Sequence, residues 1–321
     1  MPHKIGFLSN KLTLRGTEVA LYDYADFNET ILQNKSIIIS RDYDKIKNEF
    51  DVSLDAYTKF SNRFVVEYYE TQTDIDNIIT KHGLSHLYVI KSGEFDNTFT
   101  TKCKNLIHCV FNTRQPHGDV YSAISYDVNR THNTNYPVVP HMIRNHETTE
   151  NLRELLSIPA GSVVFGRYGG LETFDIHFVK QAICNVLNER NDMFFIFMNT
   201  YEFLNHPRII YLNGTTDMEY KKKFINTCDA LLHARTSGET FGLVCGEFAM
   251  TLKPVITYSL SNDRNHLDLL VDKAILYHDY NSIYNILRNW GKNHKHSMEG
   301  NGYLFYTPEN VMSIFNDVYL Q

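Results

Sequence analysis

Short apolar runs alternate along this chain with longer segments of helical spacing, and that alternation constrains the fold more than any other feature of the sequence. Residues 4–9 read as a strand, 17–33 as a helix after a loop holding Arg15 and Gly16, and 36–40 (SIIIS) as a second, buried strand. A strand, a crossover helix and another strand bring the chain back into the same sheet in the same direction, so the pairing is parallel. Further strands are expected at 64–69, 86–91 and 106–111, with a helix over 74–82. From 112 to 146 the sequence turns polar, with Pro116, Pro137 and Pro140 among many Asn, His and Thr residues. This stretch reads as loop, with a domain boundary near Pro140.

A second alternating series follows, with strands expected at 163–167, 193–198, 208–212, 230–234 and 255–258. The helices between and after them are expected at 176–187, 217–226, 242–250, 266–271 and 282–290. The last segment, 307–320, opens Thr-Pro-Glu, an N-cap followed by proline at the first helical position. The predicted fold class is therefore α/β. Two Rossmann-like domains, residues 1–140 and 141–303, are followed by a C-terminal helix within 304–321 that crosses back over both. A chain of 321 residues leaves each domain room for its own core.

Bulk chemistry removes several function classes. A net charge of −6 offers no basic field for nucleic acid or an anionic membrane surface. The five cysteines, Cys103, Cys109, Cys184, Cys228 and Cys245, contain no C-x-x-C pair and read as reduced, buried thiols. The N-terminal residues enter a strand without the apolar core of a signal peptide, and no apolar run reaches membrane-spanning length, so a cytoplasmic protein is expected. The loop after the first strand, SNKLTLRGTE, has one glycine and lacks G-x-G-x-x-G, which argues against a dinucleotide-dependent dehydrogenase. P-loop, G-x-S-x-G and H-E-x-x-H patterns are absent, and the fifteen histidines show no ligand spacing. No metal and no cofactor are expected.

What remains points to the second series. The stretch RTSGETFGLVCGEFAMTLKPVIT, from Arg235 to Thr257, sets Glu239 and Glu247 eight positions apart around a Thr-Phe-Gly-Leu turn and the start of a helix. Carboxylates accept hydrogen bonds from sugar or ribose hydroxyls, while a turn and the first amides of a helix offer donors to an anion. Glutamates are usually solvated, but the neighbours of these two are small or apolar, and a buried carboxylate needs partners. Gly166 and Arg167 end the first strand of this series and open a loop with Gly169 and Gly170, at the edge where such sheets bind ligands; arginine there suits a diphosphate. Asn199 and Thr200 end the next strand at the same edge, where a polar pair can meet a base or ribose. In the first domain, Gly16 precedes a helix and can bring a diphosphate close to backbone amides, although such a glycine is more often a plain turn.

The chain resembles the retaining glycosyltransferases of the GT-B fold, and within them family 4, whose E-x7-E motif matches Glu239 to Glu247. The resemblance runs nearly the full length, through RGTE (15–18), the histidine-containing strand end (106–111), FGRYGG (165–170), CDALLHARTSGETFG (228–242) and KPVIT (253–257). It implies two domains facing across a cleft, and transfer of a sugar from a nucleoside-diphosphate donor to an acceptor hydroxyl in glycan biosynthesis, without a metal. Front-face attack would be assisted by the departing phosphate oxygen. Gly16 would lie over the donor diphosphate and Arg167 would grip it. Glu239, with Phe241, Gly242 and Leu243, would hold the sugar and phosphates, and Glu247 the ribose. His108 matches the family histidine near the reacting sugar, and His117 in the following loop competes for that role. The loops carrying Glu94 and His117 are expected to meet the acceptor. One position departs from the pattern: the lysine usual about five residues after the arginine is Glu172 here, so either Arg235, Lys180 or another cation supplies the charge, or the donor or activity differs. The rival readings are a nucleotide-sugar epimerase of the same fold and a non-catalytic nucleotide-sugar-binding protein.

Overall fold

The computed structural model describes residues 2–291 and 297–321. It divides into two units, Met1–Met142 with Tyr306–Gln321, and Ile143–Phe305. Unit 1 runs β1 (Lys4–Leu8), α1 (Gly16–Thr30), β2 (Lys35–Ser40), α2 (Tyr43–Ile46), α3 (Leu54–Arg63), β3 (Val65–Tyr68), α4 (Gln72–His82), β4 (His86–Lys91), β5 (Lys104–Cys109), β6 (Val120–Ala123) and α5 (Tyr126–His132). Unit 2 begins with β7 (Val163–Tyr168), α6 (His177–Glu189), β8 (Met193–Met198), β9 (Ile209–Leu212), α7 (Met218–Thr227) and β10 (Ala230–Leu232). It continues with β11 (Gly238–Glu239), α8 (Leu243–Met250), β12 (Val255–Tyr258), β13 (Asp263–Arg264), α9 (Asn265–Leu270), β14 (Ile275–Tyr277) and α10 (Tyr280–Arg288). The chain ends with α11 (Pro308–Tyr319).

Each unit holds a six-stranded sheet, ordered β3-β2-β1-β4-β5-β6 in unit 1 and β14-β12-β10-β7-β8-β9 in unit 2, and every pairing in both is parallel. The first strand of each series lies inside its sheet, and the chain winds outward first to one side and then to the other. The strand order therefore reverses beside β1 in unit 1 and beside β7 in unit 2. In open parallel sheets the carboxyl ends of the strands at that reversal carry the ligand.

In unit 1, α1 and α11 pack on one face of the sheet. Ile5, Phe7, Leu21, Tyr24, Tyr88, Phe315 and Tyr319 form one cluster there, and Ile37, Ile75, Ile79, Leu87 and Ile107 form another on the opposite face. The terminal helix belongs to unit 1, and its Val311, Met312, Phe315 and Tyr319 are fully buried in that core. The stretch expected to be loop, 112–146, contains β6 and α5. Its polar residues are used internally. The Ser125 hydroxyl caps α5, and the Asn129 side chain donates to the Tyr136 carbonyl and accepts from Thr134 and the Tyr136 amide. Helix α3 was likewise not foreseen.

Gly166 sits inside β7, paired with Leu231 of β10, and it is buried. A Cβ at this position would overlap Cys228 Sγ and press on Phe224. The absence of a side chain here makes room for the core, and no ligand-facing role is needed to explain the glycine. Gly166→Ala is expected to lower stability by about 1–3 kcal/mol through overpacking. Chemical denaturation should show most of that loss recovered when Cys228→Ala is added, because the clashing sulfur is then gone.

Candidate functional site

At the carboxyl edge of the unit 2 sheet, β7 ends in Arg167 and Tyr168, β8 runs into Asn199 and Thr200, and β10 runs into His233, Ala234 and Arg235. The Arg167 guanidinium is almost fully buried, at 4 % exposure. It donates to the Asn199 carbonyl (3.2 Å), the Gly170 carbonyl (2.8 Å) and the hydroxyls of Thr200 and Thr173. Asn199, held at φ +50°, returns a hydrogen bond from Nδ2 to the Gly169 carbonyl at 2.7 Å. Arg167, Asn199 and Thr200 thus lock the loops after β7 and β8 to each other. Burial draws the Arg167 pKa down to about 10, which leaves it a cation at neutral pH. As a fixed cation it places positive charge beneath the edge, while its hydrogen bonds are taken by the protein itself.

The second group is built on the short pair β11 and β13 and the start of α8. Gly238 and Glu239 pair with Asp263 and Arg264, which fixes the strand just before the turn. Gly242 is the N-cap of α8 at φ +86°, and a Cβ there would come within 2.8 Å of the Tyr303 hydroxyl. Both facts favour glycine: the backbone is left-handed and the space is closed. The same Tyr303 hydroxyl donates to the Phe241 carbonyl at 2.6 Å, and Asn265 Nδ2 donates to it at 3.3 Å. Among the described residues no side chain caps α8, so the first-turn amides, beginning at Leu243, keep their donor capacity.

Glu239 lies beside this helix start with its side chain 18 % exposed. Its Oε1 accepts from His233 Nε2 at 3.2 Å and its Oε2 from Arg235 at 3.1 Å. Burial by itself would raise the carboxyl pKa. The His233 hydrogen bond and the charge of Arg235 outweigh it and hold the group at about 2. An ionised carboxylate, an adjacent arginine that keeps 26 % of its side chain exposed, and a row of uncapped amides therefore share one corner of unit 2. Such a set can accept hydrogen bonds from hydroxyls and donate them to an anion. Of the two substitutes for the missing lysine, Arg235 lies in this corner, whereas Lys180 Nζ packs 5.5 Å from the Phe203 ring. Glu172 is exposed.

Glu247 sits one turn into α8. Its Oε2 accepts from the buried Tyr168 hydroxyl, and Lys221 Nζ lies 3.8 Å from Oε1. It opens on a recess lined also by Ile143, Arg144, Met218 and Lys222, a surface with more positive than negative side chains.

The remaining candidates lie in unit 1. Gly16, exposed, is the first residue of α1 after the β1 loop, where Glu18 accepts from the hydroxyls of Ser9, Thr13 and Thr17. His108 is fully buried. Its Nδ1 shares a hydrogen bond with the Tyr88 hydroxyl at 2.6 Å, and its ring packs against Tyr24, His141 and Tyr319. Burial brings its pKa down to about 3, so the ring is neutral. The strand end that carries it is covered by the aromatic core that α1 and α11 complete, and His108 offers no surface to a substrate. His117 is partly open: Nδ1 meets the Gln115 carbonyl at 2.7 Å, Nε2 lies 3.4 Å from Lys91 Nζ, and its ring stands 5.3 Å from the ring of the exposed Phe95. Glu94, in the same loop as Phe95, is exposed.

Four residues of the unit 2 site were not singled out from the sequence: His233, Thr257, His266 and Tyr168. His233 carried a signal, being a polar side chain at the end of the apolar run CDALLHA. Tyr168 carried none, because an aromatic residue after a strand-end arginine reads as core.

No protein-family model and no curated protein sequence matches this chain. Solved structures do match it in fold. HepE from Anabaena, crystallised with UDP and glucose, aligns over 98% of both chains at a TM-score of 0.72 and 14% identity. Sucrose-phosphate synthase from Thermosynechococcus elongatus aligns over 99% of this chain and 98% of its own at a TM-score of 0.70 and 12% identity. A candidate UDP-N-acetylglucosamine 2-epimerase from Listeria monocytogenes aligns over 98% of this chain and 94% of its own at 0.57 and 10% identity. These likenesses place the chain in the GT-B fold class.

Proposed function

We propose that this protein is a retaining glycosyltransferase that moves a sugar from a nucleoside-diphosphate donor to an acceptor hydroxyl without a metal. The observation that carries the reading is the corner of unit 2 where the ionised Glu239 stands beside the uncapped start of α8 at the reversal of a Rossmann-like sheet. The diphosphate would take the α8 amides and Arg235, and Glu239 would accept from sugar hydroxyls. Glu247 would accept from the ribose, through Oε1 because Oε2 is held by Tyr168. Arg167 would contribute its charge from beneath and hold the two loops in place.

In the chemical step the bond between the anomeric carbon and the diphosphate oxygen breaks, and its electron pair goes to that oxygen. The acceptor oxygen bonds to the same face of the sugar carbon, and its proton passes to the departing phosphate. Donors already aimed at the leaving oxygen stabilise its growing charge at no reorganisation cost. The complex of HepE with UDP and glucose makes uridine diphosphate the first donor nucleotide to try.

The fold also accommodates the epimerase reading, with a lower TM-score to the Listeria structure. Thermal denaturation over a panel of nucleoside diphosphates and their sugars tests the shared premise. A ligand present at one hundred times its dissociation constant should stabilise the protein by about 2.7 kcal/mol. A panel that leaves the transition unmoved at millimolar ligand contradicts all nucleotide-sugar readings.

A further inference from the structure

Behind Glu239 runs a buried file of polar groups that the proposed chemistry does not itself use. His233 Nδ1 lies 2.8 Å from Thr257 Oγ1, and Thr257 Oγ1 lies 3.0 Å from His266 Nε2. Thr257 and His266 are fully buried and His233 is 5 % exposed. The backbone is fixed on the same side, since the Tyr277 hydroxyl donates to the His233 carbonyl at 2.9 Å.

Burial and the neighbouring His233 bring the His266 pKa down to about 3, so its ring is neutral and carries one N–H. Its Nε2 shares a hydrogen bond with the Thr257 hydroxyl, and the ring also meets the Glu239 backbone. His233 Nε2 lies 3.2 Å from Glu239 Oε1 and donates to that carboxylate oxygen, which can only accept.

Resting on the donor-binding reading of Glu239, we propose that His233 is a positioning residue for that carboxylate, and that Thr257 and His266 serve to hold the His233 ring with Nε2 turned toward it. His233 fixes Oε1, Arg235 fixes Oε2, and the carboxylate presents a set direction to the donor sugar before the sugar arrives. The arrangement also explains why three polar side chains are spent in the interior behind one glutamate: each satisfies the next.

The side-chain amides separate positioning from packing. Glutamine places its amide nitrogen near imidazole Nε2, whereas asparagine places its own near Nδ1. His233→Gln therefore keeps the donor to Glu239, and His233→Asn keeps only a partner for Thr257. NMR titration of the Glu239 carboxyl, identified by its loss in Glu239→Gln, should give a value near the wild type in His233→Gln and a clearly raised one in His233→Asn. Calorimetry with UDP-glucose should show binding weakened roughly tenfold to a hundredfold in His233→Asn and by less than about threefold in His233→Gln. Equal titration of the Glu239 carboxyl in the two variants overturns the proposal. If the wild type ignores UDP-glucose while the carboxyl titrations still diverge, the positioning stands and the choice of donor is what fails.

Discussion

Replacing Glu239 by alanine is expected to lower glycosyl transfer by about 10²–10³-fold, the size of effect seen when one preorganised charge-stabilising group is removed from an active site. The change takes away the acceptor for sugar hydroxyls and leaves His233 and Arg235 facing an empty corner. The fold should survive, because β11 pairs with β13 through backbone and Gly242 keeps its place under Tyr303. Circular dichroism and the dispersion of amide resonances check that point. The same residue gives a signed pH dependence. Its carboxyl titrates near 2 in the folded protein, against an ordinary value of 4.5. A depressed folded value adds stability above the unfolded pKa, and that stability is lost as pH falls through the folded one. The wild type should lose stability between about pH 4.5 and 2, and the difference in urea midpoint between it and Glu239→Gln should shrink across that window. A midpoint difference that stays constant through it contradicts the ionised, partnered state of Glu239.

Arg167→Lys is expected to be the second severe change, although it keeps the charge. Four acceptors surround the guanidinium, two on the loop after β7 and two on the loop after β8. A planar fork reaches both sides at once, and an ammonium on a flexible stem does not. With part of the set unsatisfied in a buried place, stability should fall by about 2–4 kcal/mol, seen as a lower urea midpoint at an unchanged slope. Nucleotide binding should weaken with it, because the loops that line the edge are no longer tied together. The opposite pattern, full stability with lost nucleotide affinity, would show that the guanidinium leaves its brace to grip the diphosphate directly.

Much of the architecture was legible because parallel sheets bury their strands, and buried strands leave contiguous apolar runs that stand out between helices. The repeated series, SIIIS in unit 1 and MFFIFM in unit 2, carries that signal. The stretch holding β6 and α5 did not, since Asn129, Thr134 and Ser125 are buried or half-buried yet satisfied by one another and by nearby backbone. Sequence shows polarity there and cannot show that the polar groups have found partners. The same limit applies at the site. Glu239, Gly242 and Arg235 could be picked out by the residue types around the turn. Whether Arg167 faces a ligand or its own loops, whether Gly166 makes room for a phosphate or for Cys228, and whether His108 is exposed or enclosed by Tyr24, Tyr88 and Tyr319 all depend on packing across the sheet. His233 was hidden for a related reason: its partners Thr257 and His266 lie 24 and 33 positions further along the chain, on elements that meet only after folding.

The central claim is that unit 2 holds a nucleotide sugar for transfer to a hydroxyl, and proton NMR of a single reaction tests it most directly. The protein is incubated with UDP-glucose and other nucleoside-diphosphate sugars, with and without a panel of glycan acceptors, and the anomeric signals are followed. The account predicts nucleoside diphosphate and a new glycoside in equal amounts, formed only when acceptor is present, with the anomeric configuration of the donor kept and the signal lost in Glu239→Ala. A sugar epimer that forms without acceptor, an inverted glycoside, or an unchanged rate in Glu239→Ala would contradict it.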